Sequence, residues 1–257
     1  MSNLEEAVAS FVDARMGRPL WPGVPAHLRP ATLADGYRLQ HAIHARLATQ
    51  GVARLGYKIG SSSAASQRPF GLREPVYAGI FDDTHADTLA AAFARPMVQP
   101  SLECEIAFRL HADIDGTDPR LSATSIADAV GACHIACEII DRRYGDPLGI
   151  GVPSLLADDF FHAGFVLGAA NPAWRTLDLH ALDGAIEIDG TRVTGNAADT
   201  LDALAATRWL AHKFAAAGTR LRAGEIILTG TLTRPTPITL PARAVTLSIT
   251  GFEPLVL

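Results

Sequence analysis

The chain has 257 residues, 48% hydrophobic and 19% charged, a composition that suits a globular protein with a sizeable core. A net charge of −5, with no Lys/Arg run interleaved with aromatics, excludes non-specific nucleic-acid binding, and no apolar stretch is long enough to span a membrane. The 3 cysteines, Cys104, Cys133 and Cys137, form no CxxC and read as buried thiols, while the acidic start Met1-Ser-Asn-Leu-Glu-Glu is unlike a secretory signal, so a cytoplasmic location is expected.

Leu4, Val8, Phe11, Val12 and Arg15 recur at helical spacing and predict an amphipathic first helix ending near Gly17. Pro19, Pro22, Gly23, Pro25 and Pro30 predict an irregular connection over 18–30. Thr32 with Asp35 three residues on resembles a capping box. It opens a second helix with Leu39, Ile43 and Leu47 on one stripe and a stop at Gly51. The two helices predict a small, mostly helical N-terminal unit over 1–72, too small to bury much alone, followed by a larger domain over 73–257.

Leu55 to Gly60 reads as a short strand closed by a turn at Ser61, Ser62 and Ser63. Pro69, Gly71, Pro75 and Gly79 make regular structure patchy through 69–81. In the segment 102–110, Leu102, Cys104, Ile106, Phe108 and Leu110 fall on one strand face, and Glu103, Glu105 and Arg109 on the other. Ser125 with Asp128 predicts a helix start, running through Val130 and Cys133 before a strand near Ile139-Ile140. Phe161 to Leu167 and Ala185 to Ile188 predict strands, the second turning at Asp189-Gly190. Leu201, Leu204, Ala205 and Trp209 mark a helix closed by Gly218, and strands follow over 225–230 and 244–249. Strands with scattered helices, lacking a regular alternation, predict an α+β domain.

Three places carry useful chemistry. Glu103 and Glu105 stand on one strand face, either solvated or forming half of a site for a hard cation. Glu138 interrupts an apolar segment, where a carboxylate is expensive unless paired, with Arg142 or Arg143 for example, or bound to a metal. Lys58 lies between Gly56-Tyr57 and Ile59-Gly60. It is either a snorkelling strand residue or, if desolvated, a proton-transfer group of lowered pKa.

The ordered motifs Gly-Tyr-Lys-Ile-Gly at 56–60, Glu-x-Glu at 103–105, Glu-Ile-Ile-Asp-Arg-Arg at 138–143, Leu-Ala-Asp-Asp at 156–159 and Leu-Thr-Gly at 228–230 are distinctive together. From about Thr32 to Gly230 the chain resembles the 2-keto-4-pentenoate hydratase/4-oxalocrotonate decarboxylase family of the fumarylacetoacetate hydrolase superfamily. The resemblance implies a distorted, mixed β-roll with flanking helices, forming the catalytic domain over 73–257. It implies that Glu103, Glu105 and Glu138 hold one Mg²⁺, with Mn²⁺ as the alternative, and that Lys58 is the active-site lysine. Ser62, Ser63, Asp158, Thr229 and Gly230 match substrate-binding positions. The implied activity is a Mg-dependent lyase reaction on a small 2-oxo acid through a metal-bound enolate, in the catabolism of aromatic compounds: hydration of a 2-hydroxydienoate, or decarboxylation of an oxalocrotonate-like diacid. The implied assembly is a homo-oligomer, with neither nucleic acid nor membrane as partner. The alternatives are a carbon–carbon bond hydrolase of acylpyruvate type and a non-catalytic partner subunit.

The chain also departs from the family pattern. Val76 stands where the family carries an acid, Asp158-Asp159 where it carries Asp-Asn, and Phe160, Phe161 and His162 where small residues follow. The hydrolases' His-Glu pair on a short helix has no clear equivalent, since His85 follows Asp82-Asp83 in a poor context. Arg142, Arg143 and Arg234 are candidates for a second substrate carboxylate or for plain ion pairs.

Overall fold

The computed structural model describes residues 3–15, 21 and 23–257; the expected helix end at Gly17, and Pro19 and Pro22 of the connection, lie outside them. Helix α1 (Asn3–Arg15) buries Val8, Phe11 and Val12 and leaves Leu4 exposed. Helix α2 (Leu33–Thr49) opens on the expected capping box: Thr32 Oγ1 accepts the Asp35 N–H at 3.2 Å and Asp35 accepts the Thr32 N–H at 3.0 Å. It buries Leu39, Ile43 and Leu47, and the chain turns at Gly51 with φ +86°.

Strand β1 (Arg54–Gly60), helix α3 (Ala64–Gln67), strand β2 (Val76–Phe81) and helix α4 (Leu89–Phe93) follow. Next come β3 (Pro100–Leu110), α5 (Ala123–Ala129), β4 (Val130–Asp141), α6 (Val152–Ala157) and β5 (His162–Ala170). The chain closes with the hairpin β6 (Asp183–Ile188) and β7 (Thr191–Asn196), helix α7 (Ala203–Ala216), and strands β8 (Ile226–Thr231), β9 (Thr236–Pro237), β10 (Val245–Ile249) and β11 (Leu255–Val256). A seven-stranded sheet runs β2-β1-β8-β3-β4-β5 with β9 beside β3, and a four-stranded sheet runs β11-β10-β6-β7. The pair β1 and β8 is parallel and its neighbours are antiparallel, so the large sheet is mixed and the fold is α+β.

The apolar face of β3, from Leu102 to Leu110, packs in one core with Ile186 of β6 and Leu247 of β10. The small sheet therefore covers one face of β3 and leaves the glutamate face to the other side.

Helices α1 and α2 have no core of their own. They share one with Leu155 and Leu156 of α6, Val76 and Phe81 of β2, and Phe160 and Phe161. Strand β1 sits between β2 and β8, so the expected boundary at 72/73 falls between two hydrogen-bonded neighbours of one sheet.

Two expectations need correction. Helix α5 stops at Ala129, and Val130 and Cys133 belong to β4; Ser122 is the N-cap, with Ser125 completing its box. Pairing with β3 along its length holds β4 extended, and Cys133, Ile135, Cys137 and Ile139 enter the core at strand period. The stretch expected to be patchy ends in a regular, fully buried strand β2. Gly79 serves it by leaving room for His44, whose Cε1 would lie 2.7 Å from a Cβ there.

Candidate active site

The register of β3 on β4 sets Glu103 directly opposite Glu138 and Cys104 opposite Cys137. Like charges across such a pair repel. Glu105 stands two residues along on the same face, and one carboxylate oxygen of each of Glu103, Glu105 and Glu138 lies within 4.8 Å of the others. Glu105 and Glu138 are buried and Glu103 is half-buried. Glu138 Oε2 is buried without a hydrogen-bond partner. Three converging carboxylates with an orphaned oxygen fit a divalent cation that takes oxygen ligands, such as Mg²⁺ or Mn²⁺.

Backbone and neighbouring strands hold these carboxylates. Glu105 Oε2 accepts the Gly230 N–H of β8 at 2.9 Å. Gly230 has φ +104°, and a Cβ there would lie 2.5 Å from Ser62 Oγ, so glycine is required for this approach. Glu138 Oε1 lies 3.2 Å from Lys58 Nζ and 2.9 Å from His162 Nδ1. Lys58 Nζ also donates to Phe160 O at 2.9 Å, with the Phe160 ring centroid 5.4 Å away.

That carbonyl is presented by an unusual turn. Asp159, Phe160 and Phe161 have φ of +54°, +48° and +69°, a left-handed run that L-residues avoid. Buried Asp159 secures it: Oδ1 accepts from His44 Nε2 at 2.8 Å and from the Gly79 N–H at 2.9 Å, and Oδ2 from Arg15 Nη1 at 3.3 Å. Burial opposes ionisation of Asp159, but His44 and Arg15 outweigh it and hold the carboxyl below its usual range.

Burial and the facing Glu138 push the Glu103 carboxyl up to about 8. Burial and the two other glutamates push Glu105 well up. For Glu138 burial acts the same way, yet Lys58 and His162 outweigh it and its carboxyl falls below the usual value. Lys58 reverses the expectation. Burial does work to lower its pKa, but Glu138, Glu103 and Glu105 together raise it, so the side chain is a firm ammonium.

The remaining expected residues are distributed unevenly. Thr229 Oγ1 donates to Ile106 O at 2.8 Å, which ties β8 to β3. Ser62 Oγ lies 2.6 Å from Thr200 Oγ1. Ser63 caps α3, its Oγ accepting the Ser66 N–H at 3.2 Å. Asp158 is taken up by Arg143, whose Nε lies 3.1 Å away and whose Nη2 also reaches it, and by the Tyr144 hydroxyl. Arg143 is thereby committed, while Arg142 and Arg234 are exposed. The partners of Glu138 are thus Lys58 and His162 rather than either arginine. His85 packs on Phe165 at 4.8 Å between ring centroids, and Asp83 pairs with Arg15 at 3.1 Å, so these residues form no water-activating pair. Sequence reasoning missed His162 as a partner of Glu138, registering it only as a bulky departure, and missed Asp159 as the anchor of the turn.

No family model matches the chain. A 2-keto-4-pentenoate hydratase of Paraburkholderia phymatum is 34% identical over 208 residues, covering 79% of this chain and 76% of that protein. Another, of Burkholderia vietnamiensis, is 33% identical over 238 residues, covering 90% and 85%. The chain belongs to the 2-keto-4-pentenoate hydratase/4-oxalocrotonate decarboxylase family. This is a family of lyase-type enzymes. The fold agrees: 4-oxalocrotonate decarboxylase from Pseudomonas putida G7, complexed with magnesium and adipate, superposes with a TM-score of 0.84 at 23% identity, covering 98% of this chain and 96% of that one. Fumarylpyruvate hydrolase from Pseudomonas aeruginosa, in complex with Mn²⁺ and pyruvate, gives 0.59 at 17% identity, covering 79% and 88%, as befits the wider fumarylacetoacetate hydrolase fold. No described helix is long and apolar enough to cross a membrane.

Proposed function

We propose that this protein is a Mg²⁺-dependent lyase acting on a small 2-oxo acid, with hydration of a 2-hydroxydienoate, such as 2-hydroxypenta-2,4-dienoate, as its reaction. The observation that carries this reading is the convergence of Glu103, Glu105 and Glu138 beside the buried Lys58. A divalent cation held by the three carboxylates would supply Lewis-acid polarisation of a 2-oxo group and stabilise negative charge developing beside it. Lys58, an ammonium held by Glu138 and Phe160 O, serves as partner for the substrate carboxylate and as a proton donor from Nζ. Gly230 keeps Glu105 in place through its N–H. The hydratases at 34% and 33% identity support hydration over decarboxylation of an oxalocrotonate-like diacid. Catabolism of aromatic compounds and a homo-oligomeric assembly belong to the same reading; analytical ultracentrifugation tests the latter, and a monomer there would contradict it.

A spectrophotometric assay with a panel of 2-hydroxydienoates and oxalocrotonates, with and without Mg²⁺, tests it. Mg²⁺-dependent loss of dienoate absorbance, abolished by Glu105→Ala, is expected. Turnover of the diacids alone would move the reaction to decarboxylation. Tight metal binding with no turnover of any panel member would instead mark a non-catalytic subunit. Calorimetric Mg²⁺ titration addresses the ligands directly: undiminished affinity after joint Glu103→Ala and Glu138→Ala substitution would rule out the three-carboxylate site.

A further inference from the structure

One oxygen of Glu138 has two donors and the other has none. Oε1 faces Lys58 Nζ at 3.2 Å and His162 Nδ1 at 2.9 Å, whereas Oε2 is buried and unpartnered. His162 is itself fixed from behind, because its Nε2 lies 3.1 Å from Thr84 Oγ1. That hydroxyl also lies 2.9 Å from Phe81 O and accepts the Phe81 N–H at 3.2 Å, which ties it to the end of β2. The His162 and Glu138 side chains are 0% and 1% exposed, so water does not substitute for either contact. The proton on Nδ1 follows from the partners. A carboxylate only accepts, so Nδ1 donates to Glu138 Oε1, whichever of Nε2 and Phe81 O takes the single Thr84 hydroxyl proton.

We propose that His162, backed by Thr84, is the positioning residue of the metal ligand Glu138. It holds Oε1 so that Oε2 faces the cation position between Glu103 and Glu105, and it keeps Oε1 satisfied when Lys58 turns towards a substrate anion. The proposal rests on reading the three glutamates as a cation site. The register of β4 places the Glu138 backbone opposite Glu103 but leaves the carboxylate torsions free, so a side-chain donor has to choose which oxygen points inward. With Lys58 as sole partner, each departure of the ammonium would leave a second buried oxygen bare. Outer partners of ligating groups typically change metal affinity about 10–100-fold when removed.

The test is calorimetric titration of the full chain with Mn²⁺, with the paramagnetic resonance spectrum of the bound ion as a second readout. His162→Leu is expected to weaken Mn²⁺ binding about 10–100-fold. His162→Asn, whose side-chain N–H stands where Nδ1–H stands, is expected to recover most of that loss. Thr84→Val, which removes only the backing hydroxyl, is expected to weaken binding by about 2–10-fold, the range of one hydrogen bond. Wild-type affinity in a folded His162→Leu variant overturns the proposal, as does an Asn variant no better than Leu. If His162→Leu fails to fold, wild-type affinity in Thr84→Val overturns it instead. If the unsubstituted protein binds no Mn²⁺, the three-glutamate reading fails and takes this proposal with it; binding that is indifferent to residue 162 removes the proposal alone.

Discussion

Glu103 is a carboxyl that the folded chain keeps protonated at neutral pH when no cation is present. Burial and Glu138 raise it from 4.5 to about 8, so between those values the folded state binds a proton that the unfolded state has released. Stability of the cation-free protein therefore falls as pH rises across that window, because the unfolded state binds fewer protons there. Melting temperatures in chelator are expected to decline from about pH 5 to 8, and saturating Mg²⁺ to abolish the decline; a flat profile in chelator would contradict the raised carboxyl. Metal uptake at pH 7 is accordingly expected to release protons, read as a dependence of the calorimetric heat on buffer ionisation enthalpy. At Gly230 the constraint is steric. Alanine there meets φ +104° and a 2.5 Å approach to Ser62 Oγ, and is expected to cost about 1–3 kcal/mol in urea denaturation and to weaken Mg²⁺ binding through Glu105.

Among the elements, the left-handed turn 159–161 is held by groups distant in the chain. Its anchor, Asp159, joins α1 through Arg15, α2 through His44 and β2 through the Gly79 N–H. Asp159→Ala leaves the buried His44 imidazole without its acceptor and the half-buried Arg15 guanidinium with Asp83 alone, and is expected to cost about 3–5 kcal/mol. It also frees the Phe160 carbonyl to move, so activity measured well below the lowered melting temperature is expected to fall with it. Elements differ in how far neighbouring residues decide them. The start of α2 was legible because the Thr32/Asp35 box is closed within three residues. The Asp189-Gly190 turn was legible for the same reason, both residues having positive φ as a tight hairpin demands. The end of α5 was not, because Val130 to Cys133 becomes strand only by pairing with β3.

At the scale of the molecule, the strand order β1-β8-β3-β4 gathers Lys58, Gly230, Glu105 and Glu138 from four adjacent strands that are far apart in the chain. The N-terminal helices share their core with the Phe160 turn, and β1 carries the lysine from within the large sheet. A fragment of residues 73–257 lacks those helices and β1. It is expected to show no cooperative denaturation, and a sharp transition with Mg²⁺ binding retained would show that the larger part folds alone. The sequence by itself determined the family, the alternation of β3 and the three glutamates, because a period of two and ordered motifs can be read from the chain alone. Tertiary structure alone decided that Glu103 faces Glu138, that Glu138 Oε2 is the free oxygen, that His162 holds the other, and that the Lys58 pKa rises where burial alone would lower it. The reason is that hydrogen-bond partners and electrostatic shifts depend on which distant groups are brought within a few ångströms of each other. Residues 58, 84, 103, 105, 138 and 162 become neighbours only in the folded sheet.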